Sequence, residues 1–198
     1  MILKDIITKY EAFIFDMDGT LTIPNLDFDG MRSELGLSKG KPILESIEEF
    51  STEKQQELHK KLNELELEKA KQTQAQPFVL KFIEELSQSK HLGILTRNSQ
   101  LNAITTLNNI GLIKYFPENF IMSRDNCKAK PDPDGILKLC ELWNIKPTQS
   151  LMIGDYLYDL QTGKNAEADT LYFDSTKQFQ FKEHASYCIS DFNLNSII

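Results

Sequence analysis

Cysteine, histidine and long apolar runs are all in short supply. Cys127, Cys140 and Cys188 are odd in number and lack paired metal-ligand spacing. They therefore predict the reduced thiols of an intracellular protein and not a disulfide framework. His59, His91 and His184 are scattered. No run approaches the ~18 apolar residues of a membrane span. Met1 to Tyr10 carries Lys4, Asp5 and Lys9 and lacks the apolar core of a signal peptide, so the expected location is cytoplasmic. Basic charge is also short: 22 Lys and Arg stand against 29 Asp and Glu, a net charge of −7. That balance argues against a general nucleic-acid binder, which would carry a basic patch or stripe. What remains is an ordinary globular composition, 40% hydrophobic and 26% charged over 198 residues. The length fits one domain, or one domain with a modest insertion.

The pattern of apolar residues changes along the chain. A strand is expected over 12–16. Residues 26–76 contain no convincing strand and read as helical. Pro42 can open a helix bearing Ile43, Leu44, Ile47 and Phe50. Thr52 and Gln55 can form a capping box for a longer helix whose Leu58, Leu62 and Leu65 fall at helical spacing. Glu and Lys fill its other faces, as in a solvated helical hairpin. Past Pro77 the elements alternate. Phe78, Phe82 and Leu86 share a helical face, and Leu92 to Thr96 reads as a buried strand. Leu101, Ile104 and Leu107 mark a helix ended by Gly111. Phe120 to Met122 can be a strand, and Pro133 can start a helix carrying Ile136, Leu137, Leu139, Cys140 and Trp143. Leu151 to Ile153 is a strand, Leu157 and Leu160 mark a helix, and strands follow at Thr170–Phe173 and Tyr187–Ile189. Alternation of this kind predicts parallel βαβ units. The expected fold is α/β: a Rossmann-like parallel sheet flanked by helices, in residues 1–22 and 77–198, with a small all-helical insertion in 23–76.

The polar residues at the expected strand ends carry the chemistry. Phe13-Ile14-Phe15 runs straight into Asp16, Met17, Asp18, Gly19 and Thr20. Two carboxylates at the end of a buried strand are costly unless a cation offsets them. Ligand crevices in open α/β sheets lie outside the carboxyl ends of the strands. An Asp-x-Asp-Gly segment can also be only a turn. Other strand ends favour the site: Thr96 is followed by Arg97 and Asn98, Gly154 by Asp155 with Asp159 four residues on, and Lys130 precedes Pro131. Splitting a phosphate ester requires a nucleophile, a proton donor, partners for the phosphoryl oxygens and a hard cation. These residues can supply each part.

The combination closely resembles the haloacid dehalogenase-like superfamily, in its phosphatase branch with a small helical cap (phosphoglycolate phosphatase and β-phosphoglucomutase-like members). The resemblance spans nearly the whole chain. Asp16 to Thr20 matches the first motif, Thr96 the second, Lys130 with Pro131 the third, and Gly154, Asp155 and Asp159 the fourth. It implies that Asp16 is the nucleophile and a metal ligand. Asp18 would be the general acid and base, with its main-chain carbonyl towards the metal. Thr96, with the backbone of Arg97, would bind phosphate, Lys130 would pair with phosphate and Asp16, and Asp155 and Asp159 would hold Mg²⁺. Dehalogenases of this fold carry an aromatic residue where this chain has Asp18, and phosphonate-cleaving members a small one; an oxygen leaving group needs the proton that Asp18 can give.

The implied activity is a Mg²⁺-dependent phosphatase acting on a small phosphorylated metabolite, phosphoglycolate-like or a sugar phosphate, through an aspartyl-phosphate. A phosphomutase using the same core and a catalytically retired binding module are the alternatives. Neither a nucleic-acid partner nor a membrane is expected, and the protein would be a monomer or a weak homodimer. In many relatives Asn directly follows the motif-two Thr, whereas here Arg97 intervenes before Asn98. Arg97 either reaches a second anionic group of the substrate or turns to solvent. Glu167 stands where relatives often have Gly. Substrate choice would reside in the insertion, where Arg32, Lys39 and Lys41 either contact the far end of the substrate or form a solvated face. Its small size would leave an open site with a broad or modest substrate range. Cys127 lies near Lys130 in sequence, in a packing role, and none of the histidines matches a catalytic position of the superfamily.

Overall fold

The computed structural model describes residues 3–25 and 27–196. A short helix α1 (Leu3–Ile7) precedes strand β1 (Ala12–Phe15). Helices α2 (Phe28–Leu35), α3 (Ile43–Ile47), α4 (Thr52–Ala70) and α5 (Val79–Ser87) follow before β2 (His91–Leu95). The remainder runs α6 (Gln100–Asn109), β3 (Ile121–Met122), α7 (Asp134–Trp143), β4 (Ser150–Gly154), α8 (Leu157–Asn165), β5 (Asp169–Phe173) and β6 (Tyr187–Ile189). The six strands form one sheet in the order β3-β2-β1-β4-β5-β6, parallel throughout. In register, Ile14 of β1 faces Gly93 on one side and Met152 on the other.

Strand periodicity divides β1 between two cores. Successive side chains point to opposite faces. Phe13 and Phe15 join the larger cluster, with Phe82 and Leu86 of α5 and Leu107 of α6. Ala12 and Ile14 join the other, with Leu139 and Trp143 of α7 and Met152 of β4. Burial on both faces is why these strands read as continuous apolar runs. The fold is the α/β parallel sheet that the alternation implied. Among the described residues no helix is long and apolar enough to cross a membrane.

Local details depart from expectation where neighbours decide. Phe78 does not share the buried face of α5. It precedes the helix in a left-handed conformation and is 56% exposed, while Val79, Phe82, Ile83 and Leu86 are buried. Leu101 and Leu137 lie on outer helix faces and are exposed, and Phe50 lies past the end of α3 and is exposed too. Ser51, not Thr52, caps α4 by accepting from the Lys54 amide, and Gln55 reaches back to the carbonyls of Glu48 and Phe50. Glu167 adopts φ +62°, the left-handed geometry in which glycine is the unstrained choice. Helix α1, which the apolar pattern did not announce, buries Leu3 and Ile6 in the larger core.

Helices α2 to α4 have a hydrophobic cluster of their own, built from Met31, Leu35, Ile47, Leu58 and Leu62. Leu58, Leu62 and Glu66 recur at every fourth residue on one face of α4, and all three are buried. Glu66 meets Arg124, in the loop after β3, with two contacts of 2.7 and 3.0 Å, and accepts a third hydrogen bond from Asn102 of α6 at 2.8 Å. The pair is almost fully withdrawn from water, with side chains 9% and 10% exposed. Breaking a buried pair from one side strands the other charge. Glu66→Ala is accordingly expected to destabilise the protein by about 3 kcal/mol, read from denaturant melts; an unchanged midpoint would show that this tie holds nothing.

Candidate active site

The strand ends converge as the parallel topology requires. The Asp16 amide continues the ladder by donating to Ile153 O at 2.9 Å, which points its carboxylate past the end of β1. The turn behind it is closed by Thr22 and Gly19, the latter at φ +93°. A Cβ on Gly19 would lie 2.2 Å from the Asp155 carboxylate. One on Gly154 would lie 2.2 Å from Asp159. Both glycines thus leave the space that the acids occupy. Asp155 follows β4 directly. Asp159 sits in the first turn of α8, where its Oδ2 accepts from the Tyr156 amide at 3.0 Å.

Oxygen atoms of Asp16, Asp155 and Asp159 all lie within 4.8 Å of one another. Lys130 enters this group from the loop between β3 and α7. Its Nζ donates to Asp159 Oδ1 at 2.5 Å and to Asp16 Oδ1. Thr20 Oγ1 donates to Asp155 at 2.9 Å. Three carboxylates against one ammonium leave a formal surplus of two negative charges when all are ionised. A cluster made only of hard oxygen donors with that surplus suits a divalent cation such as Mg²⁺. The Asp18 carboxylate stands apart from the group and accepts from Asn98 Nδ2 at 2.6 Å.

The protonation behaviour follows from this crowding. Burial pushes Asp155 up to about 8, with the charges of Asp16 and Asp159 adding to it. Asp159 rises to about 6 through burial, opposed by Lys130. Burial also raises Asp16 against the pull of Lys130, and Asp18 adds to the rise. Asp18 itself reaches about 6 through burial, against the hydrogen bond from Asn98. Burial alone would lower Lys130, but Asp159 and Asp16 outweigh it and hold the ammonium above its ordinary value.

These groups floor a cavity of about 390 Å³. The eight candidate catalytic, phosphate-binding and metal-binding residues all line it: Asp16, Asp18, Thr96, Arg97, Asn98, Lys130, Asp155 and Asp159. Thr96 is nearly buried, its hydroxyl accepting from the Asn98 amide at 3.1 Å. Arg97 lines the cavity and does not turn to solvent. Its guanidinium grips Glu45 of α3 at 2.6 and 2.7 Å, donates to Lys130 O at 3.3 Å, and stands 5.1 Å over the Tyr158 ring. Of the three cationic candidates in the insertion, only Arg32 lines the cavity; Lys41 pairs with Glu49 at the surface. No histidine lines it among the described residues. Cys127 packs against the α7 core, and burial pushes its thiol up to about 11, which fits a packing role.

Sequence reading missed Glu66, Arg124, Phe28, Tyr156 and Tyr158, all of which line the cavity. Glu66 had a legible signal, an acid in the buried stripe 58–62–66 of α4. Arg124 had none, because its partner is distant in sequence.

The sequence matches the family model described as haloacid dehalogenase-like hydrolase over residues 27–173. A haloacid dehalogenase-like hydrolase domain-containing protein of Arabidopsis thaliana is 32% identical over 185 residues, covering 87% of this chain and 74% of that protein. A phosphoglycolate phosphatase of Psychrobacter arcticus is 52% identical over a stretch of 42 residues, 21% of this chain and 18% of that one. The crystal structure of a HAD hydrolase from Entamoeba histolytica superposes with a TM-score of 0.75 at 20% identity, covering 94% of this chain and 96% of that one, and so shares the fold. Family match and the Arabidopsis relative agree: the chain belongs to the haloacid dehalogenase-like hydrolases.

Proposed function

We propose that this hydrolase is a Mg²⁺-dependent phosphatase that splits a small phosphorylated metabolite through an aspartyl-phosphate on Asp16. The observation that carries the reading is the division of labour among the acids. Asp16, Asp155 and Asp159 form one buried group around Lys130. Asp18 faces the same cavity outside that group, with a carboxyl raised to about 6.

In this reading an Asp16 carboxylate oxygen attacks phosphorus and the bond to the leaving oxygen breaks. Asp18, in its acid form, gives that oxygen its proton; a raised pKa favours the protonated state required. Asp18, now a carboxylate, then takes a proton from water as the water oxygen attacks phosphorus. The Asp16–phosphorus bond breaks, and the Asp16 carboxylate and inorganic phosphate are released. Lys130 and the Thr96 hydroxyl hold the phosphoryl oxygens, with positive charge and a hydrogen bond aimed at charge that develops in flight. Asp16, Asp155 and Asp159, with the main-chain carbonyl of Asp18, would hold Mg²⁺, which would offset the repulsion between nucleophile and phosphate. Helices α2 to α4 act as the cap that excludes water from the reacting centre. Three free cysteines support a reducing, cytoplasmic setting.

Asp16→Asn is expected to abolish phosphate release from an aryl phosphate while the circular dichroism spectrum stays that of the wild type; turnover within about tenfold of wild type would remove Asp16 as nucleophile. Treatment with EDTA is expected to stop release and added Mg²⁺ to restore it. Full activity in the chelator would overturn the metal part of the proposal.

A further inference from the structure

The cations of the outer half are paired with carboxylates, as Lys130 is at the floor, but one for one and with no surplus of acid. Four basic side chains line the cavity, Arg32, Arg97, Arg124 and Lys130. Lys130 belongs to the floor. Each of the three arginines is bound to a carboxylate of the helical insertion. Arg32 holds Asp29 of α2 at 2.9 Å. Arg97 holds both oxygens of Glu45, and Arg124 both oxygens of Glu66. Arg97 and Arg124 are also anchored on the core side. The former donates to Lys130 O and lies over Tyr158; the latter donates to Arg97 O at 2.7 Å.

A substrate with a second anionic group would need one of these guanidiniums. Taking Arg124 would strand the buried Glu66 beside a newly arrived negative charge, whereas taking Arg97 or Arg32 would release the more exposed Glu45 or Asp29, 45% and 69% exposed, at a smaller cost. The rest of the outer wall carries no further cation among the described residues. Met31, Ile43, Leu44 and Leu62 are apolar, and two half-exposed rings, Phe28 and Tyr156, stand at the rim. Rings and aliphatic side chains favour an uncharged group with an apolar or flat face.

We propose that this site selects phosphate monoesters whose leaving group is uncharged, and discriminates against a carboxylate or second phosphate at the far end, because Glu45, Glu66 and Asp29 neutralise the arginines that would otherwise receive it. The proposal rests on the phosphatase reading of the floor and narrows its substrate class. It sets this chain apart from the substrate in the name of its phosphoglycolate phosphatase relative.

Matched pairs that differ only in charge test it. With the full chain and Mg²⁺, kcat/KM is expected to be higher by about tenfold or more for phosphoglycolamide than for phosphoglycolate, and for phenyl phosphate than for 4-carboxyphenyl phosphate. Glu45→Gln leaves Arg97 without its anion and is expected to shrink both ratios by about threefold or more. Binding of benzylphosphonate against 4-carboxybenzylphosphonate, by calorimetry, reads the same preference without turnover. Equal or better use of the charged esters, ratios unmoved by Glu45→Gln, or a charged phosphonate bound as tightly as the neutral one overturns the selectivity, as does failure of both phosphonates to bind. No turnover of any ester, with the neutral phosphonate still preferred, overturns the phosphatase reading and leaves the selectivity standing.

Discussion

The ammonium of Lys130 is the charge on which the site depends. It lies between Asp16 and Asp159 and links three segments far apart in sequence: the end of β1, the loop after β3 and the first turn of α8. Withdrawing each such ion from water costs several kcal/mol, and close, hydrogen-bonded geometry is what repays it. Without Lys130 the strand ends would gather carboxylates with nothing between them. With it, the floor is held together and still keeps a surplus of negative charge. That surplus makes the site hospitable to a divalent cation, and it explains why burial and mutual repulsion drive the acids upward in pKa.

The roof repeats the chemistry with the opposite outcome. Arginines of the core meet acids of the insertion, and the charges cancel. These pairs join α3 and α4 to the loops after β2 and β3. They also leave the outer cavity without free positive charge. The same kind of contact is therefore unbalanced at the floor, with acid in surplus, and balanced at the roof.

Much of this was legible in the chain. The apolar runs of β1, β2 and β4 are long enough and buried enough to stand out, and each ends abruptly in polar residues. Parallel strands put those ends on one side of the sheet, so Asp16, Thr96 and Asp155 could be grouped before their distances were known. Errors fell where a neighbour outweighs local pattern. Phe78 matches the helical spacing of α5, yet it precedes the helix and faces water. The partner of Arg97 was not legible because Glu45, which binds it, lies 52 positions away. Glu66 was hidden among the acids of a charge-rich helix, although its spacing from Leu58 and Leu62 places it on the buried stripe.

By itself the sequence determined the sheet, the run of helices after β1 and the residues at the strand ends, because those follow from periodicity and from the cost of burying acids. Only the tertiary structure decided which charges remain available. Whether an arginine is a receptor for an anion or already holds one depends on a partner brought by folding, and the Coulomb energy of a pair depends on distance in space and not along the chain. That is why the acids of the floor could be read from local motifs, while the pairing of the arginines above them could not.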